Sequence, residues 1–525
     1  MILSPQTRLA PIAVAGIVFL ATLALLQPLP VGSVQDDGLY VILGKALATG
    51  EGYRFINLPG APAAVHYPPG YPTLLAILWA IFPRFPANTV LFAFANIALL
   101  SVAAGATFHL GRRLDLPPMV ATGCALAGFL MLPMLALGLT LVSEPLWLAL
   151  AIPWLLRADR ETGSDSAGTP MRWTTAAGLG AAAGVLMLVR TQSIALLVGL
   201  IAALLVRRRA GAAAAALVGA LLVAFPWQLW VAHHADKIPD TLSGKYGAYS
   251  TWLRDGLRAE GLNLLTESMR RNIQSAQHFV SGMLSLPGLP SAISGIALLG
   301  PAVAGGVRLA RRTPVLFSAL CAHAALILLL PFEPQRYVWG SWPFVILWIG
   351  AGLMELWERW RAGRRAGPGA PGAAIRRAVE TAAFAGGILV IAGAAVSTGI
   401  GLYRQSYRNV ALGGAHRLLP TVEWVERHTQ PDALIASDDE TAVFLYTGRR
   451  AVPATSFLAA NYVRPTVQGA TSFQLDTILA LYRPDLVIVN WQPTVAAALR
   501  LSTGSAPVLR PVASLPSGGV FARVK

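Results

Sequence analysis

Charge is scarce in this sequence. Only 13% of its 525 residues are Asp, Glu, Lys or Arg, about half the share found in soluble globular domains. That excludes a soluble globule. Acidic residues are scarcer still, 25 against 41 Lys and Arg, for a net charge of +16. In a soluble chain this balance would suggest nucleic acid, but here the arginines cluster in short loops between apolar runs, as the positive-inside bias of membrane proteins dictates. Nucleic acid is therefore not an expected partner. The two cysteines, Cys124 and Cys321, both fall within apolar runs, which excludes a disulfide framework and a thiol-metal site. His233 and His234 are adjacent and lack the i, i+4 spacing of a helical metal pair. The glycines between Gly178 and Gly184 lie in an apolar stretch with no preceding strand, so close helix packing explains them better than phosphate binding.

What the chain has in abundance is apolar length. Hydrophobic residues make up 55% of it, in repeated uncharged runs long enough to cross a hydrocarbon layer of about 30 Å. About eleven membrane helices are expected, near Leu9–Val31, Val90–Leu110, Met119–Leu137, Leu139–Leu156, Trp173–Val189, Thr191–Val206, Ala212–Val231, Leu289–Val307, Pro314–Leu330, Val338–Leu356 and Thr381–Leu402. The first run is longer than a signal-peptide core and shows no small-residue cleavage site, so it is expected to stay as a helix. With Arg8 on the cytoplasmic side, Arg112 and Arg113, Arg157 with Arg160 and Arg172, Arg207 to Arg209, Arg308 with Arg311 and Arg312, and the arginines from Arg359 to Arg377 all fall on that same side. The N-terminus is then cytoplasmic. Tyr71–Phe82 is too short to span and would break this parity, so it reads as an interfacial helix.

The opposite, outer side receives the loop after the first helix, the Ser143–Glu144–Pro145 turn, a long polar loop after Val231, the Glu333–Tyr337 turn and the C-terminal tail. Residues 1–402 thus form a membrane domain with outer loops at 32–86 and 232–288. Residues 403–525 read as a small extracytoplasmic α/β domain: helices at Thr421–His428, Glu440–Tyr446 and Leu475–Tyr482, strands at Ala433–Ser437 and Leu486–Asn490, and a terminal pair near Val508–Ser514 and Gly519–Val524. The fold class is mostly α, a polytopic helical bundle in the cell (inner) membrane.

The stretch from Gln35 to Pro72 stands out. Asp36 and Asp37 sit where the chain leaves the bilayer and open a short amphipathic pattern through Leu39, Tyr40, Leu43 and Leu47. Ionisable residues held at one membrane face are functional candidates because partial desolvation is costly. On the outer side these are Asp36, Asp37, His66, Glu144, Arg190, Lys245, Glu333 and Arg336.

The order Asp-Asp-x-x-Tyr at Asp36–Tyr40, Gly52–Tyr53, then Tyr-Pro-Pro-x-Tyr-Pro at Tyr67–Pro72 resembles membrane glycosyltransferases of the GT-C class. It is most similar to the group holding protein O-mannosyltransferases, lipid A aminoarabinose transferases and bacterial family 39 and family 83-like enzymes. Ser143–Pro145, Arg190, the Arg336–Tyr337 pair followed by Pro343, and the segment Pro431–Pro453 agree with it. The resemblance implies transfer of a sugar from a polyprenyl-phosphate donor in the lipid bilayer to a glycan, lipid or protein acceptor at the outer face, by a single inverting displacement. It makes Asp36 the general base and puts Asp37, Tyr40, His66, Tyr67, Glu144, Arg190, Lys245, Arg336 and Tyr337 around the substrate. A cofactor is not required by this chemistry; a divalent cation is compatible with it, but nothing indicates one. The sequence also departs from the aminoarabinose transferases, which carry Arg and Lys where this chain has Leu39 and Tyr67.

Each candidate has a plainer reading. Asp36 or Asp37 can cap a helix starting at Gly38, and Ser143 with Glu144 can cap another. Arg336–Tyr337 fits an interfacial anchor, Arg190 a hairpin residue in the headgroup layer, and His66 an ordinary loop histidine. The rival from another class is a transporter or flippase for an amphiphilic, polyprenyl-linked substrate, which would favour midplane charges and internal repeats. A scaffold displaying the C-terminal domain would leave the outer charges unexplained.

Overall fold

Apolar runs without water to bond their backbones must satisfy every N–H and C=O within the segment, which a helix does. The computed structural model describes residues 5–27, 29–162, 171–284, 291–365, 373–464, 470–503 and 506–524. Its first helices are α1 (Pro5–Ala24), α2 (Asp36–Ala48), α3 (Gly70–Ile81), α4 (Thr89–Arg113), α5 (Pro118–Phe129), α6 (Leu132–Leu139), α7 (Glu144–Thr162), α8 (Trp173–Val189), α9 (Ile194–Val206) and α10 (Ala210–His234). The loop expected at 232–288 is itself helical, with α11 (Ser243–Tyr246), α12 (Tyr249–Glu260) and α13 (Asn263–Leu284), and after it come α14 (Ser291–Arg312), α15 (Pro314–Leu329), α16 (Gln335–Gly340), α17 (Trp342–Arg365) and α18 (Ala373–Tyr403).

Among the described residues, three helical stretches are long and apolar enough to cross a membrane: Thr89–Arg113, Ala210–Lys237 and Glu380–Tyr403. The pair α5 and α6 would make a fourth, bent by 61°. The single span expected over Met119–Leu137 is thus two helices, broken where Pro133 follows Met131 and Leu132. Several of the other expected spans are apolar helices of only 10–17 residues, α8, α9 and α15 among them. Residues 285–290, which hold the end of the outer loop and the first residues of the span expected at Leu289–Val307, lie outside the described residues.

Small residues let the helices approach. A Cβ on Gly180 of α8 would lie 1.8 Å from the Ala216 carbonyl oxygen of α10, and one on Gly219 would lie 2.1 Å from that of Ala177. Glycine is required at both by the closeness of the two backbones. The same holds between α9 and α15 at Gly199, and between α14 and α17 at Gly352.

The basic loops gather at one end of this bundle. Arg308 donates to the Leu114 carbonyl, Arg113 to that of Asp159 and Arg209 to that of Glu161, while Arg312 pairs with Asp115. The Asp159 carboxylate accepts the Val315 N–H at 2.8 Å at the start of α15. Glu144 begins α7 and Asp159 lies near its other end, so the acidic and basic candidates from Asp36 to Arg336 collect at the opposite end.

At that opposite end α2 and α3 pack together, but α2 is not amphipathic: Asp37 to Gly44 and Ala46 are all buried. It is enclosed by α3, by outer-loop residues and by the C-terminal segment. The C-terminal segment contains α19 (Ser406–His428), β1 (Ile435–Ser437), α20 (Glu440–Thr447), β2 (Ala451–Pro453), α21 (Ala459–Val463), α22 (Ala470–Tyr482), β3 (Leu486–Val489), α23 (Gln492–Thr503), β4 (Leu509–Leu515) and β5 (Gly518–Arg523). Its sheet order is β2-β1-β3-β5-β4, with the first three strands parallel and β5 antiparallel to β3 and β4. Helices on a sheet of short apolar strands give a small layered core around Val425, Ile435, Val443, Ile488 and Val520.

Candidate functional site

Three separate turns place charge at one cavity, and a fourth sets a buried carboxylate behind it. Asp36 is the first residue of α2, Glu144 the first of α7, Arg190 lies between α8 and α9, and Arg336 is in α16. The cavity has a volume of about 560 Å³. Asp36, Tyr40, His66, Tyr67, Arg190, Arg336 and Tyr337 line it, with Val189, Ile194, Leu326 and Leu330 forming an apolar side. Ile194, at the start of α9, is 43% exposed.

Glu144 organises the cations. It is fully buried, and its carboxylate accepts from Arg190 at 2.8 Å and from Arg336 at 2.9 and 3.1 Å. Arg336 uses its remaining terminal nitrogen for Asp36, whose other oxygen accepts from the Tyr67 hydroxyl at 2.8 Å. Arg190 also donates to Ser143 Oγ at 2.9 Å, and its guanidinium lies 5.7 Å from the centre of the Tyr337 ring. The Ser143 hydroxyl is therefore committed to Arg190 and to Tyr40, whose hydroxyl is 3.1 Å away. Two carboxylates and two guanidinium groups leave this cluster neutral. Burial opposes the charge on Asp36, but the Arg336 cation and the Tyr67 hydrogen bond outweigh it and hold the carboxyl below its usual range.

His66 is a buried member of this wall. Its Nδ1 lies 2.7 Å from the Gly247 carbonyl oxygen, which can only accept, so Nδ1 carries the proton. Its ring packs between Tyr67 at 4.6 Å and Tyr249 at 4.3 Å. Burial pulls its pKa below the usual value, against the opposing pull of Gly247 and Asp36. The ring is thus neutral at neutral pH.

Three expected residues do not line the cavity: Glu144, fully buried behind its two arginines, Asp37 and Lys245. Asp37 is buried and accepts from the backbone N–H groups of Gly32, Gly38 and Val34 at 2.9, 2.8 and 3.3 Å. Only the Gly38 bond matches the capping weighed for it; α2 begins at Asp36 with no side-chain cap, and the other two bonds hold the turn that precedes the helix. Burial pushes its carboxyl up to about 6, with these hydrogen bonds opposing. Lys245 also misses the cavity, because its ammonium turns to Glu440 of α20 at 3.5 Å. A carboxylate in the C-terminal segment took the charge that had been expected to face the substrate. Glu333 lines the cavity as expected of an outer charge.

Other cavity residues were not foreseen. Gln192 receives an Arg190 hydrogen bond at 3.3 Å; its one signal was a polar side chain in the break between two apolar helices. Tyr249, Trp252, Phe332 and Phe457 also line the cavity. Single aromatics in polar loops carry no sequence signal of this kind. Among the described residues, no group of three or more His, Cys, Asp or Glu is placed to hold a metal ion.

No protein-family model matches the chain, and no curated protein matches it in sequence. Solved structures do match it. The apo form of ArnT from Cupriavidus metallidurans is 14% identical over 98% of this chain and 97% of its own, with a TM-score of 0.52. The structure of the same protein bound to undecaprenyl phosphate is 16% identical over 99% of both chains, with a TM-score of 0.49. The likeness to the apo form spans the helical bundle and the C-terminal sheet alike, and the chain shares the GT-C membrane fold of ArnT, a lipid A aminoarabinose transferase.

Proposed function

We propose that this chain is an integral membrane glycosyltransferase that moves a sugar from a polyprenyl-phosphate-linked donor to an acceptor at the outer face of the membrane. The observation that carries this reading is the Asp36–Arg336 pair at the wall of a cavity whose other side is apolar. The acyl chain lies along Val189, Ile194, Leu326 and Leu330, and the phosphate meets Arg336 and Arg190. The basic end of the bundle is cytoplasmic, which puts the cavity and the C-terminal segment outside. The shorter apolar helices each count among about eleven passes, the bilayer thinning locally around them.

Asp36 is the general base. The acceptor oxygen attacks the anomeric carbon, its proton passes to Asp36, and the bond from that carbon to the phosphate oxygen breaks with its electrons going to the phosphate. The configuration inverts in this single step. Negative charge grows on the leaving lipid phosphate, where the two guanidinium groups are already anchored by Glu144, so no reorganisation is needed during reaction. Arg336 has a further part. The incoming phosphate competes with Asp36 for its terminal nitrogen, and Asp36 becomes a stronger base as that pairing loosens. His66, neutral, offers Nε2 as an acceptor on the same wall.

The test is transfer from a panel of radiolabelled polyprenyl-phosphate sugars by the wild-type chain and Asp36→Asn. Transfer by the wild type and its loss in the folded variant are expected. Full transfer by Asp36→Asn would remove Asp36 as the base, and no transfer from any polyprenyl donor by the wild type would remove the proposal.

A further inference from the structure

We infer that the C-terminal segment sets the width of the cavity: α20 braces both of its walls, with Glu440 as a positioning residue for the wall formed by Gly244, Tyr249 and Trp252. This rests on the reading of the cavity as a lipid-phosphate site.

One wall is α2, which carries Asp36. Helix α20 lies directly against its start. A Cβ on Gly38 would sit 2.3 Å from Thr441 Oγ1, and one on Gly32 would sit 2.8 Å from Ala442 Cβ. The Val31 N–H donates to the Tyr446 hydroxyl at 3.1 Å. The turn that Asp37 holds is therefore seated on α20.

The facing wall belongs to the loop through α11 into α12. Glu440, adjacent to Thr441 and 1% exposed, takes hold of it. Its carboxylate lies 3.5 Å from Lys245 Nζ through either oxygen and accepts from the Tyr246 hydroxyl at 3.1 Å. Tyr246 in turn accepts from Asn57 Nδ2 at 2.9 Å, and the Asn57 carbonyl accepts the Ala451 N–H at 2.9 Å, which ties the same point to β2. One residue before Lys245, a Cβ on Gly244 would lie 1.5 Å from the Phe457 carbonyl oxygen. The backbones touch there, and Phe457 itself lines the cavity beside Trp252, with ring centres 6.0 Å apart. Burying a carboxylate is costly unless it is paired and bonded, so Glu440 gives the loop one defined seat. Consecutive residues of one helix thus hold opposite sides of the cavity.

The inference is tested on the full-length chain in detergent with a short-chain polyprenyl phosphate as the probe. Lys245→Met keeps the side-chain bulk and removes the charge that meets Glu440; Gly244→Ala disturbs the same loop through the Phe457 contact and keeps the ion pair. In both variants, hydrogen exchange of residues 243–252 rises by at least about tenfold, and affinity for the probe falls about fivefold to tenfold. Lys245→Arg restores both, and exchange outside residues 243–252 stays at the wild-type rate in Lys245→Met and Gly244→Ala, which a general loss of stability would not produce. Arg336→Ala is the reference for the cavity itself. If it weakens the probe while Lys245→Met and Gly244→Ala leave exchange or affinity unchanged, the bracing role is overturned and the cavity reading stands. If Arg336→Ala also binds the probe as the wild type does, the cavity reading falls and this inference with it.

Discussion

Asp36 and Arg336, 300 residues apart in the chain, form an ion pair at the mouth of two helices, and Arg336 at the same time binds the buried Glu144. Removing Arg336 takes away a donor from the departing phosphate and leaves Glu144 with Arg190 alone. Arg336→Ala is expected to lower kcat/KM by about 100-fold to 1,000-fold, the range for losing one preorganised donor. Lys recovers little of this. A single ammonium cannot span Glu144 and Asp36 as the planar guanidinium does, so Arg336→Lys should stay within about tenfold of Arg336→Ala. Kinetics with the best donor found in the radiolabelled panel check both.

Much of this was legible in the sequence, and the reasons differ by residue. Apolar length announced the helices, because no other structure satisfies a backbone in lipid. Loop charge sorted their ends, and the convergence of Arg113, Arg209, Arg308 and Arg312 at one end agrees with that sorting. Asp36, Glu144, Arg190 and Arg336 could be singled out because charge beside a membrane is conspicuous. Their pairing could not, since it depends on how four distant turns meet. Lys245 shows the limit: its charge marked it, but only the fold reveals that Glu440, in a segment with no catalytic motif, lies within 3.5 Å of it. The break of the run after Met119 into α5 and α6 does not show in hydropathy, since both halves are apolar; its one signal in the sequence was Pro133.

Asp36→Asn separates chemistry from binding. The amide cannot accept the acceptor's proton, so kcat should fall about 100-fold to 10,000-fold. Binding of a polyprenyl phosphate should not fall with it. The carboxylate competes with the phosphate for Arg336, and its neutralisation leaves that nitrogen to the ligand, so the affinity is expected to rise about threefold or more. Titration calorimetry on the two proteins reads the difference, and weaker binding by Asp36→Asn would show that Asp36 does not restrain Arg336.

Tyr67→Phe probes the basicity of Asp36. The Tyr67 hydroxyl donates to the charged carboxylate and so favours ionisation. Without it the Asp36 pKa rises, and the acid limb of kcat/KM, which climbs as Asp36 loses its proton, moves to higher pH by about one unit. A wild-type profile in Tyr67→Phe would show that the limb belongs to another group.

Asp37 gives a stability prediction with its own pH window. Burial raises its carboxyl to about 6, from an ordinary value of 3.8. Between those values the folded chain holds a proton that the unfolded chain has lost, so its contribution is complete below the ordinary value and disappears as pH rises through about 6. At pH 7 the buried charge costs up to about 3 kcal/mol relative to the protonated form, from a shift of roughly two units at 1.36 kcal/mol each. Asp36 acts in the opposite direction and elsewhere: its depressed pKa contributes stability above the ordinary carboxylate value and loses it only at more acidic pH. Glu440 and Asp439, raised by burial, share the sign of Asp37, so the informative quantity is a difference between proteins. Asp37→Asn has no proton to lose, yet its side-chain oxygen can still accept from Gly32 or Gly38. Thermal melts of the two proteins in detergent from pH 4 to 7 should therefore diverge, the wild type losing stability relative to Asp37→Asn as pH rises through that window. Parallel curves would mean that Asp37 is ionised throughout, its charge held by the three backbone N–H groups it accepts from.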